Sequence, residues 1–195
     1  MRVASNDCVG FAFSTPDVTG WPKKGVLLEL GTLCGASAIA WAEVFEANDM
    51  DWKIITVDNC KGLEPTLHGD EGQKRAQLMS MKQRGLILTG SEQEKQIRHN
   101  IKGWPNIFFR NETFEHKDSW EFNMETQLTA LYYDVVHNYS TNNYVLERWK
   151  HLDYIYIDDY NEVNYPGVVK AVDEHAKKYN KNLEISGQQA RLTTR

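Results

Sequence analysis

The segment from residue 26 to residue 37 constrains the fold of this chain most, because an apolar run enters a glycine-punctuated turn and a helical pattern follows at once. Leu27 and Leu28 belong to the apolar run and predict a β-strand. Gly31 and Gly35 then allow a sharp turn and a close approach of the backbone to a ligand, where a Cβ would obstruct it. This order of strand, turn and helix is typical of the place where an α/β protein binds a nucleotide-like ligand.

The residues after this turn predict a helix and then a second strand. Apolar residues recur at helical spacing over residues 36–47, and a strand is expected over residues 53–58. Asp58 ends that strand, where its carboxylate can accept hydrogen bonds from ribose hydroxyls. The turn and this acid together predict a cofactor site more strongly than either does alone.

Helical and strand patterns continue to alternate, which predicts an α/β fold: a doubly wound, mostly parallel sheet with helices on both faces. The further helices are expected at 91–102, 140–150 and 167–179, the further strands at 107–110, 129–134 and 154–157, and one or two edge strands after Leu183. A length of 195 residues predicts one domain, residues 1–195, with an N-terminal arm at 1–24. The polar segment 60–90 predicts either a lid over the cofactor or a surface insertion.

Charge and hydropathy disfavour two classes of partner. The net charge is -5, and lysines and arginines are scattered among acids, so the sequence predicts no nucleic-acid partner. The apolar runs are of strand length and the N-terminus lacks a signal-peptide core, which predicts a soluble, cytoplasmic protein with no membrane partner. Cys8, Cys34 and Cys60 are expected to be thiols, because their number is odd and their spacing is unlike that of metal sites.

The N-terminal arm carries large aromatic residues, Phe11, Phe13 and Trp21. These side chains could cover a neighbouring copy or the domain's own sheet. A homo-oligomer is therefore left open by the sequence.

Acidic residues close two of the predicted strands. Asp134 ends one strand, and Asp158 and Asp159 end another. If the strands are neighbours, three like charges converge where an open α/β sheet collects its ligands, and hard oxygen donors in this number suit Mg²⁺. The alternative is that Asp158 or Asp159 only caps the following turn.

His137 follows the first of these acids by three residues, on the same rim of the sheet. An imidazole there could take a proton from a hydroxyl whose pKa a metal had lowered. The alternative is a packing residue at the start of a helix. Tyr132 and Tyr165 also lie near the rim and either wall an acceptor pocket or pack in the core.

With both clusters in view, residues 24–187 resemble the class I S-adenosylmethionine-dependent methyltransferases, which have a Rossmann-like fold. The motif Leu-Glu-Leu-Gly-Thr-Leu-Cys-Gly-Ala-Ser is similar to the glycine motif of catechol-type and macrocin-type O-methyltransferases. The resemblance implies that the acid and glycines of this motif serve the methionine moiety of S-adenosylmethionine. It also implies that Asp58 holds the ribose and that the segment after the third strand contacts the adenine. The implied cofactor-binding residues are Glu29, Gly31, Thr32, Gly35, Ser37, Asp58, Glu112 and Thr113.

The downstream half resembles the metal-dependent, small-molecule subgroup of the same superfamily, which includes cephalosporin-hydroxylase-like and macrocin O-methyltransferase-like proteins. The similar segments are Asp134-Val-Val-His-Asn-Tyr139, Ile157-Asp-Asp-Tyr160 and Pro166-Gly-Val-Val-Lys-Ala-Val172. The metal ligands implied by the resemblance are Asp134, Asp158 and Asp159, with Mg²⁺ as the ion. Val136 stands where many relatives carry a second acid, so His137 is the implied catalytic base.

The function predicted from these observations is the transfer of a methyl group from S-adenosylmethionine to a small-molecule hydroxyl acceptor, assisted by Mg²⁺. One alternative is a degenerate, non-catalytic cofactor-binding protein of the same fold. Another is an NAD-dependent oxidoreductase, since Asp58 suits either ribose. The acidic trio and the poor match to Gly-x-Gly-x-x-Gly disfavour the oxidoreductase.

Overall fold

The computed structural model describes residues 17–61, 79, 90–113, 128–134 and 137–194. These residues form one seven-stranded sheet with helices packed on both of its faces. The predicted lid or insertion at 60–90 lies almost entirely outside the described residues, as do Phe11, Phe13 and Cys8.

Strands and helices alternate along the described ranges except between the third and fourth strands, where residues 114–127 lie outside the described part, and the last helix is followed by two strands. The strands are β1 (Lys24–Leu30), β2 (Asp51–Asp58), β3 (Ile107–Asn111), β4 (Ala130–Tyr133), β5 (Tyr154–Ile157), β6 (Asn182–Ser186) and β7 (Gln189–Thr193). The helices in the described ranges are α1 (Ala36–Ala47), α2 (Ser91–Ile101), α3 (Tyr139–Arg148) and α4 (Pro166–Lys178).

The strand order in the sheet is β3-β2-β1-β4-β5-β7-β6. The first five strands are parallel, and β7 runs antiparallel to both β5 and β6. From the centre of the sheet, β1, β2 and β3 follow one another toward one edge, and β4 and β5 follow one another toward the other edge. The order therefore reverses between β1 and β4, and ligands of open α/β sheets bind outside the carboxyl ends of the strands at such a point.

Each face of the sheet has its own apolar core. On one face, Leu28, Leu131 and Ile155 pack against α3 and α4 through Leu146 and Val172. These five side chains are almost completely buried. The alternation of side chains along parallel strands sends the intervening residues to the opposite face, so both faces of the central strands are apolar.

The opposite face is dominated by aromatic side chains. Trp21 stacks on Trp41 with ring centroids 5.6 Å apart, and Phe45 stacks on Trp52 at 4.8 Å. Trp41 also contacts the edge of Tyr132, at 6.0 Å and an interplanar angle of 62°. Trp21 thus covers the domain's own sheet, which was one of the two roles expected for it.

The helices begin and end where the sequence provides suitable residues. Asn138 precedes α3 and its side chain accepts a hydrogen bond from the backbone N–H of Thr141, at 2.8 Å. Pro166 occupies the first turn of α4, where its missing N–H costs no helical hydrogen bond. In α2, Glu92 lies in the first turn and Arg98 in the last, so both charges complement the helix dipole.

The structure confirms the predicted α/β architecture, and the predicted helix over 36–47 has the same bounds as α1. The strand predicted at 154–157 likewise has the bounds of β5, and the other described helices and strands as far as α4 differ from their predicted bounds by one or two residues. The tail forms both of the edge strands expected after Leu183, although β6 begins one residue earlier. Cys34 and Cys60 are buried thiols, as expected. Of the helices in the described part of the chain, none has the length and apolar character needed to cross a bilayer.

Candidate cofactor and metal site

The turn after β1 lies in direct contact with the end of β4. Gly31 has a φ of +90°, and a Cβ added to it would overlap the backbone carbonyl oxygen of Asp134. Its N–H donates to Val57 at 2.9 Å, and the N–H of Asp134 donates to Leu30 at 2.9 Å. Glycine is required here for both its left-handed conformation and its lack of a side chain. The turn therefore lies next to the acidic rim, formed by Asp134, Asp158 and Asp159, at the point where the strand order reverses.

The carboxylate at the end of β2 holds this turn in shape. Asp58 Oδ2 accepts hydrogen bonds from the backbone N–H groups of Thr32 and Leu33, at 3.0 and 2.8 Å. Its Oδ1 accepts from the N–H of Cys60 at 2.7 Å. A carboxylate has about four lone-pair sites, so the chain itself uses all but about one. Asp58 is thus first a structural anchor of the turn, with about one acceptor site left for a ligand.

Glu29 lies beneath the turn and is completely shielded from solvent. It stands in register between Thr56 of β2 and Tyr132 of β4. Neither carboxylate oxygen has a hydrogen-bond partner of good geometry within the described ranges. Burial raises the pKa of Glu29 to about 7, although the hydroxyls of Ser37 and Thr56 partly oppose this shift. A buried acid of this kind suits a cationic ligand group.

The residues expected at the adenine lie beside Asp58. The N–H of Glu112 donates to the carbonyl oxygen of Asp58 at 3.1 Å, so the segment after β3 continues the edge of the site. Glu112 and Thr113 are both half-buried. The carboxylate of Glu112 lies 3.7 Å from the guanidinium of Arg110, at the surface. Of the cofactor residues expected from the sequence, five therefore lie along one edge: Gly31, Thr32, Asp58, Glu112 and Thr113. Glu29 is buried within β1, and Gly35 and Ser37 lie at the start of α1.

Three side chains converge at the ends of β4 and β5. The Nε2 atom of His137 is 2.7 Å from Asp159 Oδ2 and 3.9 Å from Asp134 Oδ1. One ligand atom from each residue lies within 4.8 Å of the others. Two carboxylates and an imidazole with this spacing match the donors that bind divalent cations. The two strand ends are thus neighbours, because β4 pairs with β5.

The imidazole of His137 is held from several sides and only 12% of its side chain is exposed. Tyr165 stacks on it with ring centroids 4.1 Å apart. The start of α4 packs closely on the same segment, because a Cβ at Gly167 would lie 2.7 Å from the backbone nitrogen of Tyr139 and 3.0 Å from the carbonyl oxygen of His137. The ring therefore has little freedom to turn away from the carboxylates.

Asp158, the remaining acid of the predicted trio, lies outside this convergent group. Its Oδ2 accepts a hydrogen bond from the hydroxyl of Tyr132 at 3.1 Å, and its Oδ1 accepts from the N–H of Asp159 at 3.0 Å. Burial, followed by the charge of Asp159, raises its pKa, and these donors together with the Gln189 side chain oppose the shift. The protein thus supplies the hydrogen-bond donors of Asp158.

The rim concentrates negative charge. Desolvation in this crowded place and the charges of Asp158 and Asp159 raise the pKa of Asp134 well above its usual range. Even so, 44% of the Asp134 side chain is exposed, so a ligand can reach it. A cation bound between Asp134 and Asp159 would relieve this repulsion.

Comparisons with known proteins agree with this architecture. No protein-family model matches the sequence, and no curated protein matches it. Among solved structures, the O-methyltransferase NovP matches with a TM-score of 0.59 and 20% identity, over 88% of this chain and 72% of NovP. CalS11, a TDP-rhamnose 3'-O-methyltransferase in calicheamicin biosynthesis, matches with a TM-score of 0.55 and 17% identity, over 90% of this chain and 74% of its own.

The chain has the fold of these methyltransferases. This likeness confirms the Rossmann-like architecture that the sequence motifs implied. What the fold binds is a question for its individual residues, because one fold can carry many functions.

Three contacts of the rim could not be read from the sequence. Tyr132 and Tyr165 were expected either to wall a pocket or to pack in the core. In the structure Tyr132 is buried and donates to Asp158, and Tyr165 stacks on His137. Gln189, in the antiparallel strand β7, also reaches Asp158, and no local pattern marks it. Only the register of β4, β5 and β7 reveals these partners.

Proposed function

We propose that this protein is an S-adenosylmethionine-dependent O-methyltransferase that acts, with a divalent cation, on a hydroxyl group of a small molecule. The observation that carries the proposal is the contact between the Gly31 turn and the backbone of Asp134. This contact makes a methyl-donor site in the turn and an acceptor site at the acidic rim immediate neighbours. Methyl transfer requires that closeness, since the acceptor oxygen and the methyl carbon must be aligned.

The residues of the turn fit the cofactor. Glu29 is buried without a hydrogen-bond partner of good geometry in the described chain, and it would face the positively charged amino group of the methionine moiety. Asp58 retains about one acceptor site for a ribose hydroxyl. Glu112 and Thr113 extend the same edge toward the adenine. The remaining residues proposed to bind the cofactor are Gly31, Thr32, Gly35 and Ser37.

The residues of the rim fit the cation. Asp134 and Asp159 offer hard carboxylate oxygens, and both have exposed area. When bound, the cofactor would supply an electrophilic methyl group and Mg²⁺ would lower the pKa of an acceptor hydroxyl. His137 faces the space between the two carboxylates and is proposed to be the base that takes the proton of that hydroxyl.

Tyr165 and the start of α4 contribute by fixing the imidazole. The stacked ring of Tyr165 and the close packing at Gly167 hold His137 toward Asp159. A base that is already oriented loses little entropy when the acceptor arrives. The rate acceleration in this proposal therefore comes mainly from alignment.

Binding and turnover can be tested on the intact protein. Isothermal titration calorimetry with S-adenosylhomocysteine should show binding, and transfer of a labelled methyl group to a panel of sugar, phenol and hydroxy-acid acceptors should require Mg²⁺. His137→Ala should lower kcat by about 100-fold or more. His151→Ala is the matched control, because His151 is exposed and lies away from the rim.

The alternative functions predict other results. Thermal stabilisation by NAD but not by S-adenosylhomocysteine would replace the methyltransferase proposal with the oxidoreductase. A protein that binds neither the cofactor product nor Mg²⁺ would instead be a non-catalytic member of the fold. Unchanged turnover in both His137→Ala and Asp134→Ala would contradict the proposed roles of the rim.

A further inference from the structure

Asp158 is surrounded by donors that belong to the protein. The hydroxyl of Tyr132 donates to Oδ2, and the N–H of Asp159 donates to Oδ1. The side chain of Gln189 is a third partner, and the N–H of Asp158 itself donates to the carbonyl oxygen of Tyr133 at 3.1 Å. With three protein donors, Asp158 keeps about one lone pair, as Asp58 does, so the distinction from a ligand is its place outside the group that Asp134, His137 and Asp159 form.

Asp159 has an unusual backbone conformation. Its φ is +58°, in the left-handed region, which residues other than glycine adopt uncommonly. Hydrogen bonds on both sides hold it there, because its N–H donates to Asp158 and its carbonyl oxygen accepts from the N–H of Asn161 at 2.8 Å. In this conformation its carboxylate lies 2.7 Å from Nε2 of His137. The conformation of Asp159 therefore determines where one carboxylate of the convergent group lies.

Tyr132 connects this arrangement to the core. Only 2% of the residue is exposed, and Trp41 of α1 packs against its ring. A ring fixed in this way offers its hydroxyl from a constant position. Glu29 of β1 is the register partner of Tyr132. The side chain of Tyr132 therefore lies between the strand that leads into the glycine turn and Asp158 at the end of β5.

We infer that Tyr132 and Asp158 form a positioning pair that holds Asp159 in its left-handed conformation and aims its carboxylate at His137 and Asp134. Asp158 then acts through Asp159 and is not itself a ligand of the cation. The inference rests on the proposed cation site, and it assigns Asp158 a role different from the one that its place in the acidic trio predicted.

The two roles can be separated by measuring Mn²⁺ binding to the full chain through the electron paramagnetic resonance signal of the free ion. Asp159→Asn removes a ligand and should weaken binding by about 100-fold or more, whereas Asp158→Ala removes an orienting group and should weaken it by about 10- to 100-fold. Asp158→Asn is the decisive variant, because its amide can still accept from the Asp159 N–H and donate to the Tyr132 oxygen. It should restore binding to within about threefold of the wild type.

Tyr132→Phe has a matched control in the next residue of β4. Removing the hydroxyl of Tyr132 should weaken Mn²⁺ binding by about tenfold. Tyr133→Phe should leave it unchanged, since the buried Tyr133 hydroxyl has no hydrogen-bond partner within the described ranges. Both variants keep the ring, so packing is retained. Equal losses in Asp158→Asn and Asp159→Asn would overturn the inference and make Asp158 a ligand.

Crystal structures without a cation give a second measurement that does not depend on metal binding. In Asp158→Ala the backbone of Asp159 should leave the left-handed region and its carboxylate should move away from His137. An unchanged Asp159 would overturn the positioning role. A wild-type protein that bound no Mn²⁺ would instead overturn the cation site of the proposed function, and these structures alone would then decide the role of Asp158.

Discussion

Asp58 and Asp134 lie at the same edge of the sheet, at or just beyond the ends of their strands, yet their carboxylates have opposite surroundings. Three backbone N–H groups of the chain donate to Asp58. Asp134 instead lies among other acids, and its pKa is raised by desolvation and by the charges of Asp158 and Asp159. The two acids have the same placement at a strand end, yet backbone N–H groups hydrogen-bond the carboxylate of Asp58, whereas the carboxylate of Asp134 lies among like charges.

The surroundings of Asp58 are set largely by the turn that follows β1. After β1 the chain turns through residues of positive φ, and its N–H groups point toward the end of β2, as in backbone concavities that bind anions. Beside the end of β4, Gly31 packs against the carbonyl oxygen of Asp134, and its own N–H donates to Val57. The first region, Asp58 with the β1 turn, therefore holds its own shape, whereas the second region, Asp134 with the end of β5, is the one proposed to bind a cation.

The largest effect is expected where the two regions touch. Gly31→Ala should destabilise the protein by more than about 3 kcal/mol and abolish binding of S-adenosylhomocysteine, because the new Cβ would overlap the Asp134 carbonyl oxygen. Urea unfolding and calorimetry measure the two effects.

Gly20→Ala separates backbone strain from steric overlap. Gly20 also has a positive φ, of +81°, but a Cβ there would meet nothing within 4 Å. The expected loss is about 1 kcal/mol. Equal losses in the two variants would show that contact between the turn and the rim contributes nothing.

Removing the charge of Asp58 tests whether the first region neutralises its own acid. Asp58→Asn turns an amide donor toward at least one backbone N–H, so the free energy of unfolding should fall by about 2 to 3 kcal/mol. Asp51→Asn, at the start of the same strand, is the control. Asp51 forms only an exposed ion pair with Lys24, so the expected change is below about 0.5 kcal/mol. Similar changes in both would mean that the three hydrogen bonds do not hold the turn.

Glu29 gives the first region a pH dependence of definite sign. Its folded pKa of about 7 lies above its ordinary value, so the folded state prefers the neutral acid. Stability is then greatest below the unfolded pKa and falls as the pH rises through 7. Between pH 5 and pH 8 the cofactor-free protein should lose about 2 kcal/mol from this residue.

Glu29→Gln should remove this part of the pH dependence, which urea unfolding at several pH values can measure. Glu43→Gln, on the exposed side of α1, should leave it unchanged. A profile that is identical in the wild type and Glu29→Gln would show that Glu29 is charged in the folded protein at neutral pH.

The smallest expected effect is a gain in stability, and it concerns Asp134 in the second region. Asp134→Asn should stabilise the cation-free protein by less than about 1 kcal/mol, because it removes a charge that Asp158 and Asp159 repel, while solvent screens the exposed part of the side chain. The same variant should lose Mn²⁺ binding. Unfolding in the presence of a chelator measures the first effect, and Asp153→Asn at an exposed position serves as the control. Destabilisation by Asp134→Asn would mean that the protein stabilises the charged carboxylate of Asp134, as it does that of Asp58.

Much of this fold was predictable because its determinants are local. The helical periodicity of residues 36–47 fixed the bounds of α1, and the apolar run Tyr154–Ile157 gave β5. The positions of Asp58, Asp134 and Asp159 at strand ends followed directly. Segment 60–90 has no such periodicity, and the lid or insertion expected there stays a prediction.

The partners of the acids were not predictable, although the acids themselves were. The sequence alone determined that acids follow β2, β4 and β5, because strand periodicity and turns depend on near neighbours. Only the tertiary structure decided which of these acids receive hydrogen bonds from the protein. Thr32 and Asp58 are 26 positions apart, as are Tyr132 and Asp158. Whether such distant donors and acceptors meet depends on the register of neighbouring strands, which local sequence patterns do not specify.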